Sequence, residues 1–131
     1  MATIREIMST ELVTVAPGST VAEAATVMGG RHVGSALVME ADSLIGIFTE
    51  RDILRALSQD FDAPTHHVSQ WMTRDPVTVT PDASAESALE LMLGGNFRHL
   101  PVCDGSQPVG IVSLRDVSRA ATDRPDGSNP E

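Results

Sequence analysis

The chain has 131 residues, 41% of them hydrophobic, and a formal net charge of −9 from 18 acidic against 9 basic side chains. That length allows one compact domain or two very small halves sharing a core. With aromatics at 3% and no Tyr, the core must be Val, Ile, Leu, Ala and Met. Every basic residue is Arg and there is no Lys, so the chain lacks the basic patch of a phosphate-backbone binder and the aromatic platforms that stack single strands. Nucleic acid is not an expected partner.

Cys103 is the sole cysteine, which excludes an intrachain disulfide and suits a reducing compartment. The first residues lack the layout of a signal peptide, and no apolar run approaches the ~20 residues that span a bilayer. The expectation is a cytoplasmic protein with no membrane partner.

In chain order, Ile4–Met8 is short and apolar-periodic, fit for one helical turn. Val13-Thr14-Val15 is β-branched and stops at Pro17, which predicts a short extended segment. Ser19 or Thr20 then caps a helix, with Glu23 placed for a capping box and Val21, Ala24, Ala25 and Met28 on one face. Gly29-Gly30 is expected to end it. Ala36–Met39 reads as a buried strand, Glu40–Ser43 as a hairpin turn, and Leu44–Phe48 as the partner strand. A second helix runs from about Glu50 to Leu57 or beyond. Asp60–His67 has linker composition, and Pro64 argues against a helix there. The same order then repeats, with its turn at Asp104–Gln107. The tail from Thr122 has no apolar periodicity and is expected to be disordered.

The repetition is explicit. A shift of 64 residues lays Ile4–Leu57 on Val68–Ala121 without a gap. Met8 meets Met72, Val13-Thr14-Val15 meets Val77-Thr78-Val79, and Pro17 meets Pro81. Gly46-Ile47 meets Gly110-Ile111, and Arg51-Asp52 meets Arg115-Asp116. The chain is a tandem duplication, with copies at 1–60 and 68–121, a linker at 61–67 and a tail at 122–131.

One stretch in each copy carries the chemistry: Gly46-Ile47-Phe48-Thr49-Glu50-Arg51-Asp52 and Gly110-Ile111-Val112-Ser113-Leu114-Arg115-Asp116. Each reads as a strand ending in a hydroxyl residue that opens a helix. Taken alone, Thr49 with Asp52 and Ser113 with Asp116 are ordinary helix caps, an acid in the first turn also favouring the helix dipole. The same geometry offers a carboxylate able to accept from both hydroxyls of a ribose, a helix N-terminus for a phosphate, and the planar donor forks of Arg51 and Arg115. Arg55 pairs with Arg119, and approximately Arg31 with Arg98; His32 and His99 stand before the first long strand of each copy. In a chain this acidic, such local Arg and His suggest anion pockets, although Arg55 and Arg119 also suit a solvated face paired with nearby acids.

These residues, with Met8-Ser9 and Met72-Thr73, Val13–Pro17 and Val77–Pro81, and Arg98-His99-Leu100-Pro101-Val102, resemble a tandem pair of CBS (cystathionine β-synthase-type) motifs, a Bateman module, over residues 4–121. The resemblance implies an α/β (α+β) fold of two pseudo-twofold-related βαββα repeats packed through their sheets. It also implies a regulatory site for AMP, ADP, ATP or S-adenosylmethionine, with no catalytic cofactor. Asp52 and Asp116 would then hold ribose, and Thr49, Ser113, Arg51 and Arg115 would contact ribose and phosphate. Adenine would lie against Val13-Thr14 or Val77-Thr78, read by backbone near Ala36-Leu37 or Leu100-Pro101. The first copy has Gly34-Ser35-Ala36-Leu37 where the second has Arg98-His99-Leu100-Pro101, so the Asp116 site ranks first for a phosphorylated ligand.

Other chemistry recedes. His66-His67 lacks metal-ligand spacing, Cys103 has no base beside it, and no Gly-rich phosphate loop with a Lys exists. No nucleophile stands with a base, so an enzyme is not expected. The competing function is a ligand-free structural module for dimerisation or interaction. Homodimerisation, with short apolar turns such as Gln70-Trp71-Met72, and an effector protein are the partners the resemblance implies.

Overall fold

The structure is a computed structural model describing residues 2–122; part of the tail expected to be disordered therefore lies outside the described residues, while Thr122 closes the last helix. In order the elements are α1 (Ile4–Ile7), β1 (Thr14–Val15), α2 (Val21–Arg31), β2 (Ser35–Glu40), β3 (Ser43–Thr49) and α3 (Glu50–Gln59). Single 3-10 turns follow at Ala63–Thr65 and Val68–Gln70, then β4 (Thr73–Arg74), α4 (Ala85–Gly95), β5 (His99–Asp104), β6 (Gln107–Ser113) and α5 (Leu114–Thr122). The mixed α/β character and both repeats are as expected.

The chain divides into two compact units, and they are not the two sequence copies. One spans residues 12–76; the other joins residues 1–11 to the chain from 77 onward. We call them the first-copy and second-copy units. Each copy's leading helical turn has been handed to the other unit. In the second-copy unit Ile4 N donates to Ala83 O at 2.9 Å, Arg5 N to Pro81 O at 2.8 Å, and Ser9 and Ile111 exchange two N–H···O bonds of 2.9 Å. In the first-copy unit Val68 N donates to Ser19 O at 2.7 Å and β4 pairs with β3.

The first-copy unit holds a four-stranded sheet in the order β1-β2-β3-β4, with β1 parallel to β2 and the other pairs antiparallel. In the second-copy unit β5 and β6 form the central ladder, and the outer positions shrink to single bridges, Val79 beside Val102 and Ser9 beside Ile111. Both hairpins carry an irregularity at the matched places Val38/Met39 and Val102/Cys103. Both turns need a left-handed residue, supplied by Gly105 (φ 64) in one and by Ala41 (φ 54) in the other, where the Cβ makes the conformation costlier.

The cores follow from the apolar spacing. Val13, Val21, Ala24, Met28, Ala36, Val38, Phe48 and Val68 fill the first-copy unit. Ile4, Val79, Ala88, Met92, Leu100, Val102, Val112 and Val117 fill the second. Thr20 caps α2, its Oγ1 accepting from Glu23 N at 3.1 Å while the Glu23 carboxylate accepts from Thr20 N at 2.8 Å. Hydrogen bonding from the Thr20 backbone N–H, and then from its side chain, holds the Glu23 carboxyl below its ordinary pKa. Burial pushes the Cys103 thiol up, which fits a core thiol rather than a nucleophile.

Two expectations need correction. Gly29-Gly30 does not end α2, which runs to Arg31 and stops on His32 in the left-handed conformation at φ 55. The helix tolerates both glycines because Val21, Ala24 and Met28 anchor its buried face. The Asp60–His67 segment is not wholly irregular either: Pro64 sits in the 3-10 turn Ala63–Thr65, at an early position where its missing N–H is not needed.

The glycines of the repeated Gly-Ile pairs serve close packing. A Cβ on Gly110 would lie 2.6 Å from Met8 Sδ and 3.0 Å from Ser9 O; on Gly46 it would lie 2.6 Å from Met72 Sδ and 3.0 Å from Thr73 O. The thioether can swing aside, but the backbone oxygen on the adjoining strand cannot. Gly110→Ala and Gly46→Ala are each expected to cost about 1–3 kcal/mol by overpacking, read as a lowered urea midpoint with an unchanged m-value.

Candidate functional site

In both units a strand delivers its last residue directly into a helix N-terminus. Thr49 closes β3 and caps α3; Ser113 closes β6 and precedes α5. Helix starts leave backbone N–H groups unpaired, and each hydroxyl satisfies one: Thr49 Oγ1 accepts from Asp52 N at 3.3 Å, and Ser113 Oγ accepts from Asp116 N at 3.2 Å. Beyond that shared bond the two sites diverge.

Asp52 is 7% exposed and one of two buried polar residues among those described. Its Oδ2 accepts from Thr49 N at 3.0 Å and Thr49 Oγ1 at 3.1 Å, and its Oδ1 from Arg55 Nη2 at 3.2 Å. Arg55 is held in turn: its Nη2 donates to Trp71 O at 2.7 Å, and the guanidinium carbon lies 5.2 Å from the Trp71 ring centroid. Trp71 stacks on His66 with centroids 6.1 Å apart and planes 10° from parallel, and donates from Nε1 to His66 Nδ1 at 3.2 Å. His66 Nε2 reaches Asp60 Oδ2 at 3.4 Å.

Asp116 is exposed, and among the described residues no donor bonds its carboxylate. Arg98, Arg115 and Arg119 are exposed as well. The β5–β6 register sets His99 opposite Ser113, Leu100 opposite Val112 and Pro101 opposite Ile111, and Arg98 O accepts from Leu114 N at 2.7 Å. Arg98, His99 and Ser113 are thus brought to one end of the hairpin, at the start of α5.

The expected adenine-side segments lie where β-pairing puts them. Thr14 pairs with Leu37 in parallel register, and Leu37 N donates to Val13 O at 2.8 Å. In the other unit Val79 N donates to Pro101 O at 3.1 Å. Pro101 has no N–H, so Val77 O loses the bond that Val13 O receives. Ala36, Leu37, Leu100 and Pro101 are buried. Thr14, Thr78, Val77 and Arg51 are exposed.

Arg31 and His32 are not the counterparts of Arg98 and His99. They end α2, and the residue matching His32 is Asn96, the left-handed cap of α4 at φ 59. Gly34-Ser35 stands opposite Thr49 instead. Arg55 had two readings, and its bonds to Asp52 and Trp71 favour the paired one. The Trp71–His66 stack went unread in the sequence, where only the three-residue spacing of Asp52 and Arg55 hinted at the local ion pair. Among the described residues no group of His, Cys, Asp or Glu is arranged to hold a metal ion, and no helix is long and apolar enough to cross a membrane.

The doubled strand–cap–helix unit defines a class. The CBS domain family description matches residues 4–59 and again 68–123, and the chain belongs to that family as a tandem CBS pair. It is 42% identical over 123 residues to an uncharacterized 17.7 kDa protein of Acidianus ambivalens, covering 92% of this chain and 73% of that one. It is 39% identical over 119 residues to the CBS domain-containing protein YhcV of Bacillus subtilis, covering 90% and 84%. Among solved structures, the CBS-domain containing protein ATU1752 of Agrobacterium tumefaciens superposes with a TM-score of 0.85 at 31% identity, over 92% of this chain and 99% of that one. The CBS domain pair of MJ0100, in complex with 5′-methylthioadenosine and S-adenosyl-L-methionine, gives 0.82 at 27% identity, covering 90% and 94%. CBSX2 in complex with AMP gives 0.77 at 28%, covering 92% and 96%.

Proposed function

We propose that the chain is a regulatory, non-enzymatic module that binds an adenosyl ligand at the second-copy site. The observation that carries this reading is the Asp116 carboxylate at the start of α5, which no donor among the described residues bonds. A carboxylate so placed is an acceptor for vicinal ribose hydroxyls. Ser113 and the N-terminal N–H groups of α5 suit a neighbouring oxygen, and Arg98 and Arg115 suit phosphate. Adenine lies against Val77-Thr78 and is read by backbone groups at Leu100-Pro101. The complexes of MJ0100 and CBSX2 support the ligand class. In the first copy the equivalent set, Val13, Thr14, Ala36, Leu37, Thr49, Arg51 and Asp52, is the weaker site.

Ligand regulates only by binding two states unequally. The output passes through a homodimer or an effector protein, and exposed Leu54, Leu57 and Phe61 are suited to such a contact. A thermal-shift panel of AMP, ATP, S-adenosylmethionine and 5′-methylthioadenosine, with GMP as control, tests the class. At least one adenosyl compound should raise Tm, since ligand at about 100 Kd adds ~2.7 kcal/mol to stability. Silence across the panel would leave the ligand-free structural module as the better account.

A further inference from the structure

We infer that Arg55, clamped by Trp71, acts as a built-in occupant of the first-copy site and limits the chain to one bound adenosyl ligand. The inference rests on the reading of Asp116 and its counterpart Asp52 as ribose acceptors, and it predicts that two motifs sharing Gly-Ile, a hydroxyl residue and Arg-Asp differ in use. An ionised carboxylate offers about four acceptor positions. On Asp52 three are taken, two by Thr49 and one by Arg55, and the residue is only 7% exposed. The one position left is on Oδ1, so a ribose would have to displace Arg55 for both of its hydroxyls to bond the carboxylate.

What holds Arg55 in place is particular to this copy. Its Nη2 donates both to Asp52 Oδ1 and to Trp71 O, and its guanidinium lies over the indole. The indole is fixed by its stack and hydrogen bond with His66, which reaches Asp60. Cation–π contact and a carbonyl acceptor together make Arg55 hard to release. The 64-residue shift pairs Trp71 with Ile7, which offers no ring to Arg119. Consistent with that, Arg119 is exposed and no described residue bonds the Asp116 carboxylate. The duplication kept the carboxylate and the Arg in both copies, and a single aromatic residue closed one of them.

The test is calorimetric titration with AMP of the full chain, Arg55→Ala, Trp71→Ile, and Arg55→Ala combined with Asp116→Ala. Arg55 is about half exposed, and Asp52 keeps its two Thr49 bonds without it, so the first variant should fold. Trp71→Ile installs the side chain that the other copy tolerates and tests the clamp independently. The expected stoichiometry is one AMP per native chain, two for Arg55→Ala and for Trp71→Ile, and one for the combined variant. One AMP in both the native chain and Arg55→Ala, or two already in the native chain, would overturn the inference. No AMP on the native chain but one on Arg55→Ala would uphold the lock and contradict the Asp116 reading. No AMP on any variant would overturn both.

Discussion

Ile4→Ala is expected to destabilise the second-copy unit by about 2–5 kcal/mol, the range for truncating a buried large aliphatic side chain. Ile4 is 0% exposed and shares a core with Val79, Ala88, Met92, Leu100, Val102, Val112 and Val117. Sequence similarity assigns it to the first copy, yet all those neighbours belong to the second. Its backbone is fixed as firmly, through Ile4 N to Ala83 O and Arg5 N to Pro81 O, so the docked turn cannot slide to refill the cavity. Urea denaturation is the measurement, with the midpoint falling by roughly 1–2.5 M at an m-value of ~2 kcal/mol/M. A loss under ~0.5 kcal/mol would mean that α1 is not docked as described.

Asp116→Ala is expected to weaken adenosyl-ligand binding by about 2–4 kcal/mol, since a hydrogen bond to a charged group contributes about 1.5–3 kcal/mol and two ribose hydroxyls share this carboxylate. That is roughly a 30- to 1,000-fold rise in Kd. Tm without ligand should move by no more than about 4 °C, because Asp116 is exposed and its loss removes only a favourable charge at a helix start. Asp52→Ala should behave in the opposite sense, with a clear fall in stability and little change in affinity, because Asp52 is buried and both of its carboxylate oxygens already accept from Thr49 or Arg55. The two substitutions hit the same position of the same motif, and only their surroundings separate them.

Much of this was legible in the sequence. β-branched runs, Gly-containing turns and capping boxes placed the strands and helices, and the fixed offset exposed the duplication. Local chemistry decided those features. The exchange of α1 and the Val68–Gln70 turn between units was not legible, because Ile4 and Val68 are equally apolar and nothing local states which strands they cover. The role of Gly46 and Gly110 was hidden for the same reason: a glycine needed for close approach looks like any other until Met72 and Met8 lie above it. At the site, the sequence ranked Asp116 over Asp52 from Arg98-His99 and Pro101. The stronger distinction, a buried Asp52 paired with an Arg55 that Trp71 holds, depends on a contact across 16 residues.

The most direct measurement is a crystal structure of the full chain with AMP. The nucleotide is expected in the second-copy unit, its ribose hydroxyls donating to Asp116 and its phosphate near Arg98 or Arg115, with Arg55 still on Asp52 and Trp71. A nucleotide seated on Asp52 with Arg55 displaced, or bound away from both aspartates, would contradict it.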